Sequence, residues 1–203
     1  MQTSQKLYCK NCTDSEMDNN FHISYQINSR DEIVFVNDHW SDFAVANSGS
    51  DIVRKIILQR SLWSCISNST TEYIYREILR RVRAGQAIQI KLRCDSAELR
   101  RLIELTISPQ QDGEVQFDSR PIWIQPRMLP ILFKNNVPRT DDLLIVCSWC
   151  NKIETGNGKW QEVEEAVESL GLFELEILPK ISHGMCDSCY QTVSLKLEEL
   201  KTA

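Results

Sequence analysis

The sequence predicts an α+β fold, in which an antiparallel sheet is covered on one face by helices and is followed by a small cysteine-rich module. Apolar residues alternate at both ends of residues 20–125 and recur at helical spacing between them, which predicts the sheet and its cover. Two C-x2-C motifs mark the last third of the chain. We therefore expect an N-terminal tail with its own C-x2-C pair (1–19), a sheet domain (20–125), a proline-containing connector (126–141) and a cysteine module (142–203).

The sheet domain is predicted to begin with a β-hairpin. Residues 22–27 alternate in polarity, as do residues 33–36 after the turn NSRDE, and this is typical of two paired strands. A short helix is expected in DHWSDFAVANSG, ending at Gly49, and a second helical segment in DIVRKII.

The longest predicted helix lies in NSTTEYIYREILRRVRAG. Its candidate N-caps are Ser69, Thr70 and Thr71, and Gly85 is its expected stop. The apolar stripe that predicts the helix consists of Ile74, Ile78 and Val82.

Three strands are predicted to follow this helix. In AIQIKLRC the apolar residues alternate with Gln89, Lys91 and Arg93, which predicts one buried face and one basic face. The alternation continues in LIELTI, and after the turn QQDG a last strand begins at Val115 and Phe117. Residues 120–141 contain four prolines and no regular period, so we expect an extended connector there.

Charge is unevenly distributed along the chain, whose net charge is −5. Residues 54–101 contain eleven Lys or Arg against four acidic residues, whereas the chain from Asp141 onward contains twelve acidic residues against five Lys. The two regions form either separate solvated surfaces or complementary surfaces that dock within one chain or between subunits.

The sequence contains no candidate membrane segment. No stretch approaches the roughly 18–20 apolar residues of a membrane span, and the N-terminus lacks the apolar run of a signal peptide. We therefore expect a cytoplasmic protein that does not associate with membranes. In a reducing compartment, closely spaced cysteines bind metal or carry out redox chemistry more often than they form disulfides.

The pairs Cys147–Cys150 and Cys186–Cys189 are predicted to form one structural zinc site. Each C-x2-C turn directs two thiolates at one centre, and two turns complete a tetrahedral shell of four sulfurs. Soft ligands favour zinc, although iron binds the same arrangement, and a redox pair or buried thiols are the other interpretations. His183 is expected to donate a hydrogen bond to a thiolate or to lie on the surface, rather than to bind the metal.

The cysteine module is expected to resemble a zinc ribbon or a treble clef. ETGNGKW predicts a tight hairpin, WQEVEEAVESLG a helix that ends at Gly171, and CDSCYQTVSLKLEELK a final helix whose N-terminus stabilises the second thiolate pair. About 60 residues bury little core, so metal would supply much of the folding free energy. The apolar residues of the final helix are Val193, Leu195, Leu197 and Leu200.

The other four cysteines have no obvious common site. Cys9 and Cys12 are either free thiols of a disordered tail, a redox or disulfide pair, or half of a second metal site completed by His22 or by a second subunit. Cys65 and Cys94 lie in apolar patterns, which predicts buried structural thiols.

Whole phrases of the first region resemble a bacterial family of PAS-type sensor domains. They are FVNDHWSDFA after the hairpin, SLWSCISNSTTEYIYREILRRVRAG, and QIKLRCDSAELRRLIELTISP, and the resemblance covers roughly residues 20–125. It implies a five-stranded sheet with helices that form a pocket over its face, used for ligand sensing or protein interaction. PAS folds bind many unrelated ligands or none, so neither the ligand nor the pocket residues follow from it.

The tail resembles those found on a number of bacterial signalling proteins. The matching phrases are CSWCNKIETGNGKWQEVEEAVESLG and SHGMCDSC. This resemblance implies the four-cysteine site and no activity.

The sequence shows no Ser/His/Asp arrangement, P-loop, dinucleotide glycine motif or kinase signature, so we do not expect an enzyme. We expect a homodimeric signalling protein whose PAS-like domain senses a small ligand or binds a partner, while the zinc module supports or relays that state. One alternative is a nucleic-acid-associated regulator that contacts phosphate through its tail or through Arg80, Arg81 and Arg83. A thiol redox protein is more distant, because C-S-W-C lacks a βαβ setting.

Overall fold

The structure, a computed structural model, describes residues 22–47, 49–96, 98–126, 132 and 137–199. Cys9 and Cys12 therefore lie outside the described residues. None of the described helices is long and apolar enough to cross a membrane.

The first sheet has five antiparallel strands in the order β2-β1-β5-β4-β3, so the predicted antiparallel sheet is confirmed. Its strands are β1 (Ile23–Ile27), β2 (Ile33–Val36), β3 (Ile88–Arg93), β4 (Leu99–Pro109) and β5 (Val115–Pro126).

Helical segments between β2 and β3 cover one face of this sheet. They are α1 (His39–Ala46), a 3₁₀ turn (Ser50–Ile52), α2 (Arg54–Ile57), a second 3₁₀ turn (Leu62–Cys65) and α3 (Ser69–Arg83). The helix predicted in DIVRKII is thus reduced to one turn, in which Ile57 is buried and Ile56 exposed.

The longest helix, α3, confirms the predicted stripe but not the predicted cap. Asn68 is the N-cap, and its Oδ1 accepts hydrogen bonds from the Thr71 amide (2.9 Å) and the Thr71 hydroxyl (3.1 Å). Ser69 is already the first helical residue, whereas a capping residue has extended dihedral angles. The core between α3 and the sheet includes Ile74, Ile78, Val82, Ile90, Leu105, Ile107, Val115 and Phe117.

Strand β5 continues into the segment that the sequence predicted as an irregular connector. Ile103 of β4 pairs with Pro121 while the preceding Leu102 pairs with Trp123, so Ile122 has no residue opposite it. A bulge of this kind accommodates proline, which has no amide hydrogen for the ladder.

A second, four-stranded sheet follows in the order β8-β7-β6-β9. Its strands are β6 (Arg139–Cys147), β7 (Ile153–Glu154), β8 (Trp160–Gln161) and β9 (Leu178–Gly184). β7 and β8 form the predicted hairpin. β6 and β9 are parallel neighbours, which no sequence pattern indicated.

Two helices accompany the second sheet. Helix α4 (Val163–Ser169) ends shortly before Gly171, as predicted, and buries Val163, Ala166 and Val167 in a small core with the second sheet. Helix α5 (Asp187–Glu199) follows the last cysteine motif.

Helix α5 packs on the first sheet domain rather than on a core of its own. Val193 and Leu197 belong to the core of the first sheet. Of the other apolar residues named for this helix, Leu195 is 60% exposed and Leu200 lies outside the described residues. Val193 and Leu197 lie on the one narrow stripe that this 13-residue helix buries, so Leu195 between them faces solvent.

Polar contacts join the two halves of the chain. The Arg93 amide donates to the Trp149 carbonyl (2.7 Å), and Arg100 pairs with Glu162 (3.0 Å). Arg93 also lies 3.6 Å from Glu162, and its side chain is only 10% exposed, so this end of the predicted basic face is not free. The basic segment and the acidic tail thus meet within one chain at this point.

Candidate metal centre and adjoining cavity

The parallel pairing of β6 and β9 brings the two cysteine motifs together. Cys147 at the end of β6 is in register with Gly184 at the end of β9. Parallel strands that end in register deliver the residues that follow them to the same edge of the sheet. The C-x2-C motif after each strand therefore reaches one site.

The first motif forms a closed turn. Asn151 has a positive φ of 58°, and its amide donates to the Cys147 carbonyl (2.9 Å). The Cys147 amide in turn donates to the Lys152 carbonyl (2.8 Å). Asn tolerates the left-handed region better than most residues, so the turn holds its two thiols on one side without glycine.

The second motif lies close to the first because Gly184 has no side chain. A Cβ at Gly184 would lie 2.9 Å from the Ile145 side chain of the neighbouring strand. The Gly184 carbonyl accepts a hydrogen bond from the Ser148 amide (2.9 Å), which ties the two motifs together. Cys186 precedes α5, where its carbonyl accepts from the Tyr190 amide (3.0 Å).

The structure brings together the four cysteines that the sequence singled out. The sulfurs of Cys147, Cys150, Cys186 and Cys189 all lie within 4.8 Å of one another, and Cys150 Sγ is 3.7 Å from Cys186 Sγ. A tetrahedral zinc ion with Zn–S bonds of about 2.3 Å holds its sulfurs about 3.8 Å apart. The donor set therefore fits zinc, although iron takes the same four sulfurs.

Hydrogen bonds between the thiols divide their protons unevenly. The pKa of Cys147 is lowered because the Cys150 and Cys189 thiols and the Cys186 amide donate to its sulfur. For the same reason the pKa of Cys150 is raised to about 12, and that of Cys189 is also raised. A cation that binds all four sulfurs must therefore displace protons.

The remaining candidate residues lie apart from this cluster. His183 is exposed on β9 and is not among the clustered ligand atoms of the described residues. His22 is 2.9 Å from Asp118. Cys65 is exposed, so its predicted burial is wrong, because it ends a surface 3₁₀ turn. Cys94 is half-buried, and burial raises the pKa of its thiol.

The three arginines considered for phosphate binding make contacts inside the chain. Arg80 and Arg81 pair with Glu77 (3.2 and 2.8 Å), and Arg83 pairs with Asp31 (2.6 Å). Arg81 is also buried and donates from Nε to the Leu197 carbonyl (3.2 Å). A phosphate group would have to compete with these partners.

A cavity of about 370 Å³ opens where the metal-binding turns meet the first sheet domain. One wall includes Tyr25 of β1 and Thr71 and Tyr75 of α3, and the other includes Trp149 and His183. The sequence analysis did not identify these residues, since the wall forms only when the tail folds back. An apolar Trp between two metal-ligand cysteines was the one local signal that this turn contacts another surface.

Aromatic side chains stiffen the cavity walls. Tyr75 and Trp149 lie with ring centroids 5.7 Å apart and planes tilted by 48°, and Tyr25 stacks on Phe117 at 4.4 Å. Burial raises the pKa of Tyr75 to about 12 and raises that of Tyr25 well above its ordinary value. Both phenols are therefore neutral at physiological pH.

Solved structures similar to this chain include two from bacterial sensor histidine kinases. One is a domain of the sensory box sensor histidine kinase/response regulator from Geobacter sulfurreducens, at 15% identity and a TM-score of 0.36, covering 49% of this chain and 82% of that chain. Another is the sensory box sensor histidine kinase from Vibrio cholerae, at 14% identity and a TM-score of 0.39, covering 55% of this chain and 90% of that chain. No protein-family model and no curated protein matches the sequence.

Proposed function

We propose that this chain is a cytoplasmic signalling protein in which a PAS-like domain senses a small ligand or binds a partner, and a structural zinc module supports or relays that state. It acts by binding rather than by catalysis, as a homodimer that contacts other proteins. The five-stranded sheet with helices over one face is the architecture that the PAS resemblance implies.

The shared core of the sensor-like sheet and the cysteine module carries this proposal. Cys147, Trp149 and Cys186 pack in the same core cluster as the residues of α3 and the first sheet. A metal at the four thiols would cross-link the two turns on which one cavity wall is built. A change on either side of that wall therefore alters the packing of the other.

Exposed apolar side chains support a role in protein contacts. Phe173, Leu175 and Ile177, in the segment between α4 and β9, are 67%, 45% and 47% exposed. Clustered exposed apolar residues on a folded protein are typical of interaction surfaces.

Native mass spectrometry of the full chain, purified under reducing conditions without added metal, tests the proposal. We expect one zinc ion per chain and a dimeric mass. The Cys186→Ser variant should lose the metal, whereas Cys65→Ser should retain it because Cys65 lies outside the thiol cluster. A folded wild-type chain without metal would overturn the zinc role, and substrate turnover that survives loss of the four cysteines would overturn the assignment to a binding protein.

A further inference from the structure

We propose that the cavity between α3 and the metal-binding turns binds a small, uncharged molecule that carries a flat ring and a hydrogen-bonding group. This inference rests on the proposed sensing function and assigns a place and a ligand class to it. The wall made by the metal-binding turns distinguishes this site from a pocket formed by the sheet domain alone.

The cavity has the size and composition of a small-molecule site. Its volume of about 370 Å³ lies near the lower end of the range for ligand pockets, roughly 300–1,000 Å³, so it suits a compact ligand. Apolar walls come from Leu62, Ile66, Leu92 and Trp149. Polar groups are interspersed among them, as in pockets that orient a ligand through a few hydrogen bonds.

The lining argues for a neutral ligand. No Lys, Arg, Asp or Glu is among the described residues that line the cavity. A bound ion would therefore lose hydration without gaining a carboxylate, ammonium or guanidinium partner, which is costly. His183, the one imidazole in the described lining, is exposed on β9 and stays in contact with water.

Two hydroxyl groups are available to bind this ligand. Among the described residues, neither the Tyr25 nor the Tyr75 hydroxyl has a hydrogen-bond partner, although both side chains line the cavity. Neither hydroxyl is among the buried polar atoms of the described residues that lack a partner, so both are open to the cavity, where the polar group of a ligand takes the place of water. The raised pKa of each phenol keeps it a neutral donor.

The ring requirement follows from the aromatic side chains. Tyr75 from α3 and Trp149 from the first cysteine turn are in tilted contact across the cavity, and Trp149 is only 5% exposed, so a ligand would reach mainly the half-buried Tyr75 ring. A flat ligand ring makes edge-to-face or offset contacts with such a ring. Because Trp149 lies between Cys147 and Cys150, such a ligand would touch the metal-binding turn directly.

The test uses the zinc-loaded full chain and three probes of similar size: benzamide, benzoate and benzylamine. NMR titration, followed at the Trp149 indole, should give benzamide a dissociation constant on the order of 1 mM, as expected for a small fragment. Benzoate and benzylamine, which are charged at neutral pH, should bind at least about ten-fold more weakly, because no Lys or Arg among the described lining residues can replace the hydration of the anion and no Asp or Glu can replace that of the cation.

A matched pair of variants on α3 locates the site. Tyr75→Phe should weaken benzamide binding about five-fold through loss of one hydrogen bond. Tyr73→Phe should leave it unchanged, since Tyr73 is 55% exposed and does not line the cavity.

The outcomes separate this inference from the proposed function. Zinc-loaded protein that does not bind benzamide, or that binds benzoate equally well, overturns the ligand class while the metal role stands. Equal effects of the two tyrosine variants overturn the location. Protein without metal in the mass spectrum overturns the zinc role independently of any probe.

Discussion

The hydrogen bond from the Thr71 amide to the Asn68 side chain holds both the start of α3 and one wall of the cavity. Asn68 Oδ1 also accepts the Thr71 hydroxyl, so one side chain satisfies two donors. We expect Asn68→Ala to lower the free energy of unfolding by about 1 kcal/mol, measured by urea denaturation, because the amide loses its capping partner.

Ser69→Ala is the matched control for this helix start. Ser69 is exposed and is the first helical residue, so its replacement should change stability by less than about 0.5 kcal/mol. A larger effect at Ser69 than at Asn68 would contradict the observed cap.

At the scale of single residues, the sequence predicted the roles that depend on local spacing. The two C-x2-C pairs were identified because thiolates two residues apart are a local signature of metal binding. The N-cap of α3 was predicted wrongly, because several polar residues near the start of this helix could cap it. The burial of Cys65 was predicted wrongly, because apolar neighbours in the sequence do not determine burial. Tyr25 and Tyr75 acquire a common cavity only in three dimensions.

One buried arginine adds a polar link to the apolar contact between helices α3 and α5. Arg81 donates to the Leu197 carbonyl and pairs with Glu77, while its side chain is 6% exposed. We expect Arg81→Met to lower the free energy of unfolding by about 2 kcal/mol, because the Leu197 carbonyl loses its donor and the Glu77 carboxylate loses the buried one of its two arginines. Chemical denaturation measures this loss.

Arg80→Met provides the comparison on the same helix. Arg80 pairs with the same glutamate, but its side chain is 62% exposed, and exposed ion pairs contribute only about 0–1 kcal/mol. Comparable losses in the two variants would show that the contact with α5 adds little stability.

Helices and strands in which apolar residues recur at regular spacing were predicted well. Contacts between these elements were not predicted. The strands of the first sheet and the stripe of α3 follow from alternation and from helical spacing. The docking of α5 on the first domain has no local signal, so the sequence did not distinguish the buried Val193 and Leu197 from the exposed Leu195. Proline obscured the second half of β5, because a bulge there accommodates it.

On the scale of the whole molecule, we expect removal of the metal to lower the local stability of the first sheet domain. Strand β3 is the edge strand beside the tail, whereas β2 is the opposite edge. We expect chelation of zinc to speed amide hydrogen exchange at Ile90 about ten-fold or more, and at Val36 by less, because the contacts of Trp149 and α5 are lost on the β3 side.

Hydrogen exchange with mass-verified metal removal checks this gradient, and Cys65→Ser protein serves as a thiol control. Unchanged exchange at Ile90 would mean that the metal centre and the sheet are energetically independent. Equal acceleration of amide exchange in β2 and β3 would mean that loss of the metal destabilises the whole sheet and not chiefly the strand beside the tail.

The register of β6 with β9 also imposes an order of events during synthesis. The first cysteine pair leaves the ribosome well before the second, and a lone pair supplies only half of a tetrahedral shell. A nascent chain that stops short of residue 186 therefore has neither the complete metal site nor Val193 and Leu197 to cover its core. Such a fragment exposes apolar surface that proteases and chaperones recognise, so the second motif and the helix that follows it complete both the metal site and the cover of the first core.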